Sequence, residues 1–216
     1  MPREPETLDP GRWLNLWDRL GAEGSGHSIF AHLSAAYGEP GRAYHTAGHI
    51  RDCLAQLDTA RELACRPDEV EAALWFHDAV YLPGGSDNED RSAALAEASL
   101  LACDAPPDVA HRIGQLILAT RHLTLSDDPD TQLLCDIDLS ILGREPAVFD
   151  EFERRIRQEY DWVPEPIYRT SRTEILAGFL RRRFLYQTRV FRDRYETQAR
   201  ANLERVIEKL GRASGM

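Results

Sequence analysis

Two histidines four residues apart, His45 and His49 in AYHTAGHIRDCL, and a His77-Asp78 pair embedded in ALWFHDAVY have types and spacings that can do chemistry. Side chains at i and i+4 share a helix face, so His45 and His49 are expected on one face of one helix, where two imidazoles can address one centre or form a plain surface pair. His77 and Asp78 lie among apolar side chains, where charge is costly unless it is paired or coordinated. A buried hydrogen-bonded pair and a metal site are the two readings. In LLCDIDLSIL, Asp136 and Asp138 interrupt an apolar run. Being two apart, they point to different sides of a helix, so at most one faces the same centre as Asp78. Two His and two Asp make a nitrogen and oxygen donor set suited to Mn, Fe, Co, Ni or Zn. A divalent ion so held acidifies water and binds a phosphoryl oxygen, which is the chemistry of phosphate-ester hydrolysis.

The elements that must position these groups are helices. WLNLWDRL (13–20) and IFAHLSAAY (29–37) carry apolar residues at spacings of three and four, each bounded by Gly. Pro67 and Asp68 open the helix that leads to His77, and LPGGSDN reads as a loop. NEDRSAALAEASLLA is Ala-rich and favours helix, PPDVAHRIGQLILATRHL opens on proline, and TQLLCDIDLSILG ends on a glycine stop. Two long helices, about 146–160 and about 171–210, are expected after it, separated by the Pro-broken WVPEPIY. Strand signals are nearly absent, so the expectation is a compact all-α domain of roughly nine helices.

Bulk properties narrow the function. The 216 residues suffice for one sizeable domain, and 43% hydrophobic with 29% charged residues is a globular composition. No apolar run approaches the roughly 18 residues of a membrane span. The acidic, Pro-rich opening MPREPETLDPGRW lacks the basic start and apolar stretch of a secretory leader, so a cytoplasmic location is expected. Cys53, Cys65, Cys103 and Cys135 form no C-x-x-C pair, which argues against a zinc-thiolate site and a disulfide framework; they read as core or surface thiols. The net charge of −10 divides into −15 over residues 1–150 and +5 over 151–216. An acidic first part is unsuited to gripping a polyphosphate backbone, so extended nucleic acid is an unexpected partner and a small phosphorylated ligand an open one.

The order of these motifs resembles the HD superfamily of metal-dependent phosphohydrolases, whose members carry His, then His-Asp, then a later Asp in an all-α chain. The resemblance is stronger to a bacterial family of predicted HD-superfamily hydrolases, with YH…H, WFHDAVY, DNE-x-x-SA, T-x-H, D-x-DL-x-ILG, IR-x-EY and a C-terminal E-x-x-AR-x-NL, all present between Tyr44 and Leu203. It implies a single all-α domain over 1–216, a helical bundle with an HD core at about 26–145 and a C-terminal extension at about 146–211. It implies His49, His77, Asp78 and Asp138 as metal ligands, with Asp136 the alternative to Asp138, for one or two divalent ions (Mn, Fe, Co, Ni, Zn or Mg). YHTAGH is similar to a segment of cyclic-nucleotide phosphodiesterases in which the first histidine protonates the leaving oxygen, which makes His45 the general acid or else a hydrogen-bonding neighbour of the site. Asp78 or Glu89 would orient the attacking water; Glu89 also reads as a second-ion ligand or a first-turn helix acid. His122 is read as a ligand for a second metal or a substrate phosphate, or as a helix-end histidine, and Arg157 and Arg172 as phosphate-binding. His27, His32 and His111 are read as structural. The expected activity is hydrolysis of a phosphomonoester or phosphodiester of a small metabolite or nucleotide, by a monomer or homodimer. A diiron oxygenase of HD type and a non-catalytic nucleotide-binding module are the rival readings.

Overall fold

The helix Pro67–Phe76 has eight of its ten residues buried, from Glu69 to Phe76, so the rest of its unit must be wrapped around it. The computed structural model describes residues 7–24 and 26–212. These form α1 (Pro10–Arg19), α2 (His27–Ala36), α3 (Ala47–Asp58), α4 (Pro67–Phe76), α5 (Asn88–Leu101), α6 (Pro107–Ala119), α7 (Pro129–Asp138), α8 (Pro146–Glu159), α9 (Glu165–Leu180) and α10 (Arg189–Arg212), with short 3-10 segments at Arg61–Leu63 and Leu139–Gly143. The fold is all-α, and among the described residues there is no strand. None of their helices is long and apolar enough to cross a membrane. Residues 1–6 of the opening read for a leader lie outside the described residues.

The chain divides into two units, Met1–Ile137 and Asp138–Met216. In the first, α4 packs against α1, α3, α5 and α6. Trp13 of α1 meets Trp75 and Phe76 edge-on, with ring centroids 5.3 and 5.8 Å apart, and all three rings are fully or almost fully buried. Pro67 opens α4, and Asp68 and Glu69 in its first turn match the positive end of the helix dipole. Asp130, in the first turn of α7, is 3% exposed and accepts from the backbone N–H groups of Cys65 and Arg66 at 2.6 and 3.1 Å. The start of α7 is thereby fastened to the start of α4. Glu71 is buried on α4 and paired with Arg12, Arg19 and Arg61 at 2.7, 3.3 and 2.6 Å, which compensates its charge.

In the second unit, the 3-10 segment and α9 both pack on α10. A Cβ at Gly143 would fall 2.5 Å from Cβ of Tyr195, so the glycine there serves close approach; its backbone is not left-handed. The long helix expected at 171–210 is instead α9 and α10, making ten α-helices among the described residues rather than nine. The break at 181–188 turns Leu185 and Tyr186 into the core. Their backbone N–H groups donate to the Glu196 carboxylate at 2.9 and 3.3 Å, and Arg200 donates to the carbonyls of Leu180 and Arg182. Pro166 sits in the first turn of α9, so the proline-rich stretch starts this helix earlier than expected rather than only separating two.

Candidate metal centre

α3 and α4 deliver the two histidines that come closest together. Thr46 caps α3 by accepting from the N–H of Gly48 at 3.2 Å, so the helix begins at Ala47 and carries His49 and Cys53 on one buried face. His77 is the residue at which α4 ends, and Asp78 lies just beyond. His49 Nε2 and His77 Nε2 are 3.1 Å apart. An Asp78 carboxylate oxygen lies 3.1 Å from His77 Nε2 and 3.5 Å from His49 Nε2. The Sγ of Cys53 is 3.7 Å from the ring nitrogens of His49.

Asp138 completes the cluster: ligand atoms of His49, Cys53, His77 and Asp138 all lie within 4.8 Å of one another. Asp138 is counted with the second unit, but it is the last residue of α7, whose preceding residues belong to the first. Asp136, its sequence alternative, is fully buried and outside this group. Among the described residues this is the one group of three or more such donors with metal-binding spacing.

The polarity of His77 tests whether the site suits a cation. Its Nδ1 is 3.0 Å from the carbonyl oxygen of Leu74, which can only accept, so Nδ1 carries the proton. Its Nε2 faces the Asp78 carboxylate oxygen and His49 Nε2, each at 3.1 Å. Polar atoms so close together suit a shared positive charge, carried by a ring proton or by a cation. Burial would push the Asp78 carboxyl up, but the charges of His77, His45 and His49 outweigh it and hold the group below its ordinary value. The donor set, two imidazoles with carboxylate and sulfur within reach, is one that borderline divalent metals take.

His45 departs from the expected helical pair. It lies in the turn before α3 because Thr46 has taken the cap position, so His45 and His49 are not successive turns of one helix. Its ring stacks on Tyr81 at 4.0 Å and stands edge-on to His49 at 6.1 Å. The side chain of Arg42, almost wholly buried, fixes this segment by donating to the backbone carbonyls of His45, Asp78 and Ala79 at 3.3, 2.6 and 3.0 Å.

The other expected residues have local partners. Glu89 occupies the first turn of α5 and reaches Arg121 at 3.9 Å. His122 follows α6 with a left-handed backbone (φ 55°). In the second unit, Arg157 pairs with Glu165 at 3.0 Å and lies over the Tyr168 ring, and Arg172 makes a two-pronged pair with Glu153 at 3.1 and 2.5 Å. Cys53 is the residue that sequence reasoning missed. Weighing cysteines only against one another hides it, whereas the signal is H-x-x-x-C, a cysteine one turn after His49. No protein-family model, curated protein or solved structure matches the chain.

Proposed function

We propose that this chain is a divalent-metal-dependent phosphohydrolase of the HD type, acting on a phosphomonoester or phosphodiester of a small metabolite or nucleotide. The observation that carries the reading is the convergence of His49 Nε2, His77 Nε2 and an Asp78 carboxylate oxygen within 3.1 to 3.5 Å of one another, with Cys53 and Asp138 in the same cluster. When bound, such an ion supplies Lewis acidity toward a phosphoryl oxygen and acidifies water.

The residues divide the remaining work. His49 and His77 bind through Nε2, and the Leu74 carbonyl keeps His77 in the tautomer this requires. Asp78 and Asp138 supply carboxylate oxygens, which offset the charge of the ion. Asp78 also orients the attacking water. His45, held against Tyr81 at the edge of the cluster, donates a proton to the leaving oxygen. Arg42 keeps the main chain of residues 78 and 79 in place from behind.

The test is metal analysis of the purified protein after reconstitution with Mn, Fe, Co, Ni or Zn, followed by a panel of aryl phosphate mono- and diesters and nucleotides. About one ion per chain together with turnover that chelator abolishes is the expected result. A chain that retains no divalent ion overturns the reading.

A further inference from the structure

The group around His49 contains a donor that the hydrolase reading does not use. Cys53 is 2% exposed and lies one turn after His49 on the same face of α3. It belongs to no disulfide. Its Sγ is within 4.8 Å of the ligand atoms of His49, His77 and Asp138.

Two of the spacings are close to those of neighbouring ligands on one ion. With metal–sulfur and metal–nitrogen bonds of about 2.3 and 2.0–2.1 Å, a sulfur and an imidazole nitrogen on the same ion lie roughly 3.6 Å apart, and two nitrogens roughly 3.3 Å apart. Here Sγ is 3.7 Å from His49 Nε2, and the two Nε2 atoms are 3.1 Å apart. Helical spacing accounts for the approach to His49, whereas the donors of His77 and Asp138, from other helices, also lie within 4.8 Å of the sulfur.

We propose that Cys53 is a ligand of the metal, so that a thiolate joins the imidazoles of His49 and His77 and the aspartate carboxylates as a donor to it. As the sulfur–metal bond forms, the thiol proton leaves to solvent. The inference rests on the metal-centre reading above and sharpens it by naming the class of ion. A thiolate donor selects soft and borderline ions such as Zn2+, Co2+ and Fe2+, and selects against Mg2+ and Mn2+, which favour oxygen.

X-ray absorption of the zinc-loaded wild-type protein tests this without any substitution: a sulfur scatterer at about 2.3 Å is expected beside nitrogen and oxygen at about 2.0–2.2 Å. In the cobalt-loaded protein, a near-ultraviolet sulfur-to-cobalt charge-transfer band should accompany the visible d–d bands. Cys53→Ser should lose the first and keep the second, whereas Cys135→Ser should keep both. Changes beyond the first ligands alone cost about 10–100-fold in affinity, so Cys53→Ser is expected to weaken zinc at least about 100-fold while leaving Mn2+ affinity nearly unchanged. Zinc or cobalt bound without a sulfur signal, or a charge-transfer band that survives in Cys53→Ser, overturns the sulfur ligand and leaves the metal centre standing. Failure of the wild type to bind zinc or cobalt overturns the sulfur ligand, and failure to bind any divalent ion overturns the metal centre as well.

Discussion

The guanidinium of Arg42 donates to the backbone carbonyl of Asp78 at 2.6 Å, across thirty-six residues of sequence. It also reaches the carbonyls of His45 and Ala79, so a single buried side chain fastens the turn before α3 to the end of α4. Arg42→Met keeps much of the side-chain volume and removes every donor. It is expected to destabilise the protein by about 1–3 kcal/mol, because three part-buried carbonyls lose the donor they share. Chemical denaturation would measure this, and metal affinity should fall with it while far-ultraviolet circular dichroism stays unchanged.

His77 and His45 separate binding from turnover. His77→Ala removes an imidazole at the centre of the cluster and should abolish metal binding, with helical content retained. His45→Ala leaves the clustered donors of His49, Cys53, His77 and Asp138 in place. It should keep its metal and lose about 10²–10⁴-fold in turnover, the usual worth of a proton donor. Metal content and kcat measured on the same preparations decide it; equal loss of metal in both variants would remove the proton-donor role.

Asp78 predicts an acid limb. Its carboxyl is held below its ordinary value in the folded state, so it stabilises the fold above that ordinary value, and the contribution is lost as pH falls through the lower folded value. Urea unfolding of metal-free protein should therefore show stability declining as pH drops below about 4. Asp78→Asn should flatten that decline. Equal pH dependence in the two proteins would mean that the facing histidines do not favour the carboxylate.

Asp130 predicts a purely architectural effect. It accepts from the N–H groups of Cys65 and Arg66 and joins the start of α7 to the start of α4. Asp130→Ala should cost about 1–3 kcal/mol in unfolding free energy. If α7 is thereby loosened, zinc affinity falls by a smaller factor than in Asp138→Ala, a ranking that calorimetric titration of the two variants can check.

The helical class and the His77-Asp78 pair are legible because each rests on local pattern, periodicity in the one and a charged pair among apolar neighbours in the other, whereas Asp136 and Asp138 look alike locally and only the family resemblance favours Asp138, the one that lies in the cluster. Spacing alone misplaces His45 onto α3 although a helix-start signal is present, since Thr46 is a good capping residue standing between the two histidines. The break between α9 and α10 leaves no such mark. RRRFLYQT holds neither Gly nor Pro, and what stops the helix there is burial of Leu185 and Tyr186 with Glu196 and Arg200 satisfying the freed backbone, all contacts made at a distance in sequence. Cys53 is legible in spacing and is lost to an expectation about cysteine pairs.

The bond from His77 to the Leu74 carbonyl has a consequence for sequence drift. The atom that fixes the proton on that imidazole belongs to the main chain, at the end of a helix where carbonyls have no helical partner. Replacing the Leu74 side chain alters packing but leaves that oxygen in place as long as α4 ends where it does. Descendants of this chain can therefore vary at position 74 in size and shape and still inherit the same imidazole tautomer, whereas an insertion that lengthens α4 by one turn would erase it without touching a single ligand.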